Sequence, residues 1–252
     1  MSYLFHSGNQ ALHTAWKKIT RHTLRTLMVF YPEERRLAAE RRLRGREQFR
    51  KLQLADVVFV SFGKSGRTWV RVMLSRFYQL KHGLSARHLI GFDNLHKKNP
   101  AIPKLFFTHD NYIKDYTGNV DNKSDFYGHK VVLLARDPRD VAVSFYFHVL
   151  HRAGRRELDR KRISREAVSE MTLYDFVTDE HLGVPRVIGY MNHWWEERSR
   201  FSATCLIKYE EMRQDPQAAL RKAIRRNKQE PEIDFLNIVA MVDLMTIIMV
   251  VR

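Results

Sequence analysis

The chain has 252 residues, 44% of them hydrophobic and 12% aromatic, which suffices for one sizeable core and excludes a wholly disordered chain. A formal net charge of +16 calls for anionic partners such as nucleic acid, membrane surface, nucleotide or acidic glycan, without choosing among them. Cys205 is the single cysteine, so an intrachain disulfide and a C-x-x-C metal or redox site are both excluded.

Residues 1–52 read as a basic helical arm. Leu24, Leu27, Met28 and Phe30 lie beside arginines, Pro32 breaks the pattern, and Arg41-Arg42-Leu43-Arg44 follows. Lys17, Lys18, Arg21 and Arg25 interrupt every apolar run, so no secretory signal is expected and cytoplasmic residence is the default. The arm reads as a solvated surface, with peripheral contact to an anionic membrane as the alternative.

From about residue 55 to 225, apolar strands alternate with helices, which predicts an α/β domain with a central parallel sheet flanked by helices on both faces, three layers in all. The first strand, Val57 to Phe62, runs into Gly63-Lys64-Ser65-Gly66-Arg67-Thr68-Trp69. A small, basic turn that opens a helix aims unpaired backbone N–H groups at one point and adds the charge of Lys64, which makes a phosphate cradle. In the helix that follows, Trp69, Met73, Phe77 and Leu80 form one stripe and Arg71, Ser75 and Gln79 another; the first is expected on the sheet and the second in water.

The next strand, Leu105 to Thr108, ends at His109. A third, Lys130 to Arg136, leads into Asp137, a good N-cap, and Pro138, a good first helical residue, with Ser144 two turns further on. Arg136 offers a planar, permanently charged fork suited to phosphate oxygens. His151 to Arg165 forms a basic insertion, read either as solvated surface or as an entry lid that attracts an acidic or saccharide acceptor. A fourth strand, Thr204 to Tyr209, follows Trp194-Trp195. Ligands of open parallel sheets gather at the carboxyl ends of strands, so Lys64, His109, Arg136 and Tyr209 are predicted to converge.

The cradle is not a Walker A loop, because Val58 stands where that pattern needs its first glycine and the lysine precedes the second. The order Lys-Ser-Gly-x-Thr-Trp after a strand resembles the 5′-phosphosulfate loop of sulfotransferases that use 3′-phosphoadenosine 5′-phosphosulfate (PAPS). The stretch from Val131 to Tyr146, with Arg136 ending a strand and Ser144 eight positions later, resembles that family's 3′-phosphate motif. Trp194-Trp195 with Lys208-Tyr209-Glu210-Glu211-Met212 is similar to a further segment of it.

The resemblance implies a P-loop NTPase-like sulfotransferase fold over residues 53–226, with PAPS as co-substrate and no metal. It implies cofactor binding by Lys64, Ser65, Gly66, Arg67, Thr68, Trp69, Arg136, Ser144 and Tyr209, with Trp69 stacking on adenine and Tyr209 touching it. His109 would act as general base toward a hydroxyl or amine of a small-molecule, lipid or saccharide acceptor, and Lys64 would stabilise the leaving phosphate. Phe107 stands where the family has a lysine, so one cationic contact to the sulfuryl group is either missing or supplied by Lys104 or Lys114. The family's late glycine-containing clamp has no counterpart in residues 227–252, so a divergent tail and a catalytically degenerate homologue are alternatives. A P-loop kinase lacks its lysine here, and no nucleic-acid motif accompanies the basic charge, so no specific nucleic-acid partner is expected.

Overall fold

The computed structural model describes residues 31–225. Four parallel strands form its sheet: β1 (Val57–Ser61), β2 (Leu105–Thr108), β3 (Lys130–Ala135) and β4 (Ala203–Lys208), in the order β2-β1-β3-β4. Phe62, Arg136 and Tyr209 each fall one residue past a strand rather than inside it, and this frees their backbone to turn toward the carboxyl edge. The pairing of Val58 with both Phe106 and Val131 fixes the register.

The order places a switch point at β1. The chain leaves β1 through the helix Arg67–Lys81 to reach β2 on one side, then crosses back over β1 to β3 on the other. Loops leaving β1 and β3 therefore diverge and open a crevice at the carboxyl edge. Both faces of β1 are buried, as expected of a parallel sheet covered on two sides. Val57 and Phe59 enter one core with Val70, Met73, Leu74 and Phe77 of α2 (Arg67–Lys81), together with Met212 of α9 (Tyr209–Gln214) and Leu220 of α10 (Pro216–Arg225). Val58 and Val60 enter the other with Leu52 of α1 (Glu33–Gln53), Ile113 of α3 (Ile113–Thr117) and Trp194 of α8 (Val184–Glu196). A satellite cluster joins Phe145 and Val149 of α4 (Pro138–His151) to Leu158 of α5 (Arg155–Lys161), Val168 of α6 (Arg165–Glu170) and Phe176 of α7 (Leu173–Thr178).

Two expectations are corrected and the alternatives for the basic insertion are narrowed. The polar stripe of α2 does not meet water: Ser75 and Gln79 are buried, and the 84–104 segment supplies their partners. Ser75 Oγ accepts from the Ile90 N–H at 2.7 Å, Gln79 Nε2 donates to the His88 carbonyl at 2.8 Å, and Arg71 donates twice to the Ile90 carbonyl. Leu80 of the apolar stripe is the exposed one. The second half of the basic arm is no solvated appendage. Helix α1 begins after Pro32 and packs so closely on α3 that a Cβ at Gly45 would stand 2.2 Å from the Tyr112 carbonyl oxygen, while Arg41 reaches Asp115 at 2.9 Å. The basic insertion is helical, and Leu158 and Ile163 anchor it in the satellite core.

The apolar stripe of Leu24, Leu27, Met28 and Phe30, and the 227–252 tail, lie outside the described residues. Among those described, no helix is long and apolar enough to cross a membrane.

Candidate functional site

The loop after β1 is built on two left-handed residues, Lys64 (φ 69°) and Gly66 (φ 86°). Gly66 is also the N-cap of α2. Only glycine fits there twice over, because its φ disfavours a side chain and a Cβ would lie 2.6 Å from Tyr209 Cδ2. Val70 N–H donates to the Gly66 carbonyl, and the N–H groups of Arg67, Thr68 and Trp69 ahead of it, in the first turn, have no intrahelical partner. Ser65 is buried beneath the loop, with an Oγ that has no hydrogen-bond partner. A Cβ at Gly63, by contrast, would meet nothing within 4 Å.

The loop after β3 meets this one directly. Arg136 donates to the Lys64 carbonyl at 3.2 Å, and its guanidinium lies 4.3 Å from the centroid of the Tyr209 ring. Asp137 caps α4 by accepting from the Arg139 N–H, with Pro138 as the first helical residue; its own N–H donates to Glu210 at 3.1 Å. Tyr209 packs edge-on against Trp69, centroids 5.6 Å apart. The region where the two loops join thus holds Lys64, Gly66, Trp69, Arg136 and Tyr209, and the buried Trp69 Nε1 and Arg136 Nε lack partners. Ser144 sits half-buried on α4, on the same helix that Asp137 caps.

Beside it opens a cavity of about 1120 Å³, lined among others by Lys64, Gly66, Arg67, Thr68 and His109. His109 follows β2, and its Nδ1 lies 2.6 Å from the Ser61 carbonyl oxygen. A carbonyl only accepts, so Nδ1 carries the proton and the neutral ring keeps its lone pair on Nε2. Burial first, then the Arg67 charge, hold the imidazole down to about 3 against the helping hydrogen bond to Ser61. The ring is therefore neutral throughout the physiological range. Lys64 is lowered from the ordinary lysine value, chiefly by burial and next by Arg152. Burial and the neighbouring Arg71 bring Arg67 to about 10, which leaves it cationic at neutral pH. Among the described residues Arg67 has no carboxylate partner.

Of the two lysines considered to replace the charge missing at Phe107, Lys114 lines the cavity and Lys104 does not. Lys104 precedes β2, at the opposite edge of the sheet from the site. Asp110 adopts a left-handed conformation (φ 53°) and pairs with Lys123 at 2.7 Å. Glu157 of the insertion, although burial works against its charge, is held down to about 2 by hydrogen bonds from Lys161 and His148. Arg160, Lys161 and Arg162 all reach the cavity, so the insertion forms part of its wall.

Sequence reasoning overlooked Arg41, Arg186 and Tyr190 as lining residues. Arg41 carries no local signal, being one arginine of many on a basic helix; only the docking of α1 on α3 brings it there. Arg186 and Tyr190 are four apart on α8 and so share a face, but nothing in their spacing says which element that face meets.

Residues 54–226 match the model of the sulfotransferase domain family. The chain is 24% identical over 177 residues to cytosolic sulfotransferase 3 of Arabidopsis thaliana, covering 68% of this chain and 52% of the relative. It is 24% identical over 197 residues to amine sulfotransferase of Oryctolagus cuniculus, covering 71% and 59%. The chain thus spans between half and three fifths of the length of these curated relatives.

Proposed function

The chain belongs to the sulfotransferase domain family, and on that premise we propose that it transfers a sulfuryl group from PAPS to a hydroxyl or amine of an acceptor. The observation that carries this reading is the junction of the two loops, Arg136 on the Lys64 carbonyl, with a neutral histidine on the adjoining cavity wall. The residues fit the donor. The free N–H groups opening α2, the partnerless Ser65 Oγ and Lys64 suit the 5′-phosphosulfate, while Arg136, with a buried Nε awaiting an acceptor, and Ser144 suit the 3′-phosphate. Trp69 and Tyr209 offer aromatic surface to an adenine ring. The donor, when bound, supplies the sulfuryl group and a bisphosphate that departs with the bridging electrons.

In this scheme His109 Nε2 takes the proton as the acceptor oxygen or nitrogen bonds to sulfur, an effect typically worth ~10²–10⁴-fold. Lys64 and the N–H groups of Ser65 to Thr68 stabilise the charge that grows on the bridging oxygen as its bond to sulfur breaks. Negative charge held by Lys64 and Arg67 offsets the Arg67 repulsion that adds to burial in keeping His109 neutral, so the imidazole becomes more basic when the donor site is filled. Thr68 and Arg67, opening α2, line the cavity in which the acceptor would meet the sulfuryl group.

The test combines calorimetry with the 3′,5′-bisphosphate product and a screen for PAPS-dependent turnover of phenols, amines, lipids and glycans. Micromolar binding and turnover are expected. No binding by a folded protein would refute the donor assignment, and binding without turnover of any acceptor would identify a catalytically degenerate homologue.

A further inference from the structure

The cavity beside His109 carries an unusual charge balance. Its lining includes nine lysines and arginines but three acids, Asp110, Asp115 and Glu157. Each acid is already engaged, Asp110 by Lys123, Asp115 by Arg41 and Glu157 by Lys161. Of the six cations left over, only Arg160 has a further carboxylate among the described residues, Glu40 at 3.5 Å. Lys64 and Arg67 are accounted for by a phosphosulfate and its transferred group. Lys114 and Arg186 are not, since neither belongs to the two phosphate loops and neither has a carboxylate partner among the described residues; Arg186 donates only to the His181 carbonyl.

A second observation points the same way. Helix α8 turns Arg186, Tyr190 and Trp194 to the cavity at successive four-residue steps. Trp194 is 2% exposed, and its indole N–H engages the neighbouring Tyr190 oxygen, which leaves the buried Tyr190 O–H proton as the donor without an acceptor. An indole N–H only donates, and burial raises Tyr190 well above the ordinary phenol value, which keeps its hydroxyl protonated and able to donate. A buried donor left unmet in a folded protein calls for an acceptor atom from outside. Donors and cations together select an oxyanion.

Resting on the sulfotransferase reading above, we infer that the acceptor itself is anionic: a hydroxyl compound that also bears a carboxylate, sulfonate or sulfate, held by Lys114, Arg186 and the donor face of α8. A neutral phenol would fill the space and leave these groups unpaired. The atoms balance as in ordinary sulfuryl transfer, because the anion is not consumed: its role is to bind and orient the hydroxyl toward His109.

Matched acceptors test this: 4-hydroxybenzyl alcohol against 4-hydroxybenzoate and 4-hydroxybenzenesulfonate, and methyl glucoside against methyl glucuronide. The anionic members are expected to show kcat/KM at least about tenfold higher, the size of one charged hydrogen bond, and K114Q/R186Q is expected to lose most of that preference. Carboxylate and sulfonate members separate planar from tetrahedral anions. Preference for the neutral members, or a preference unchanged in the double variant, would overturn the inference. Binding of 4-hydroxybenzoate is also read by ligand-observed NMR on wild type and double variant, with and without the bisphosphate. Equal binding to both proteins, or none to either, overturns the inference even if no acceptor turns over. Bisphosphate calorimetry reports the donor reading separately, so failure of one is not mistaken for failure of the other.

Discussion

Replacing His109 by Asn tests both the chemistry and the electrostatics of the site. The Asn amide nitrogen can occupy the place of Nδ1 and keep the bond to the Ser61 carbonyl, while the group corresponding to Nε2 and the titration are lost. The folded-state value is depressed, so the unfolded chain binds the proton more readily. The site's contribution to stability is then complete above the unfolded value near 6.5 and is lost as pH falls toward about 3. Moving from pH 7 to pH 5, wild type should lose about 2 kcal/mol more than the variant, taking about 6.5 and about 3 for the two states. Urea unfolding followed by circular dichroism at pH 7, 6 and 5 measures the difference, and other histidines cancel because both proteins carry them. PAPS-dependent turnover of the variant should fall by roughly 10²–10⁴ while the fold persists. Parallel stability curves would refute the claim that burial keeps this imidazole neutral, and near-normal turnover would remove His109 from the proton transfer.

Two further substitutions separate loop geometry from charge. Gly66→Ala meets both a left-handed backbone and the Tyr209 ring. It is expected to lower stability by roughly 1–2 kcal/mol from the backbone alone and to weaken bisphosphate binding in calorimetry by about tenfold or more, whereas Gly63→Ala, with open space around it, should change stability by less than about 0.5 kcal/mol. Equal effects of the two would show that Gly66 is not sterically required. Arg136→Lys keeps the charge but loses the fork that reaches the Lys64 carbonyl and Asp140. It should weaken the 3′,5′-bisphosphate by about tenfold and leave adenosine 5′-phosphate, which lacks the 3′-phosphate, nearly unchanged; similar losses for both ligands would detach Arg136 from the 3′-phosphate.

The strands were legible because each is a short, continuous apolar run ended by a polar or charged turn, and the structure moves their ends by one residue at most. The cap at Asp137-Pro138 was legible because capping is local chemistry. The water-facing stripe on α2 was misread for an equally physical reason. Ser75 and Gln79 look like surface residues in a helical pattern, yet the backbone of the 84–104 segment, which forms no helix or strand, hydrogen-bonds to them at Ile90 and His88 and carries them inside. The basic insertion was ambiguous because charge predicts solvation and says nothing about Leu158 and Ile163 anchoring it.

What the sequence by itself determined is the local apparatus: a loop of small residues around Lys64 that opens a helix, an arginine at a strand end with a capped helix behind it, and a histidine after the second strand. Their types and neighbours are encoded over a few residues, so no knowledge of packing is needed to find them. Only the tertiary structure decided which of them touch. The strand order β2-β1-β3-β4 sets the Arg136 guanidinium on the Lys64 carbonyl, and the bond between His109 and Ser61, 48 residues apart, selects the tautomer. The docking of α1 and α8 fills the cavity wall with Arg41, Arg186, Tyr190 and Trp194. Such contacts join residues far apart in sequence, and long-range packing, rather than any local pattern, pairs Arg41 with Asp115 and leaves Arg186 without a carboxylate among the described residues.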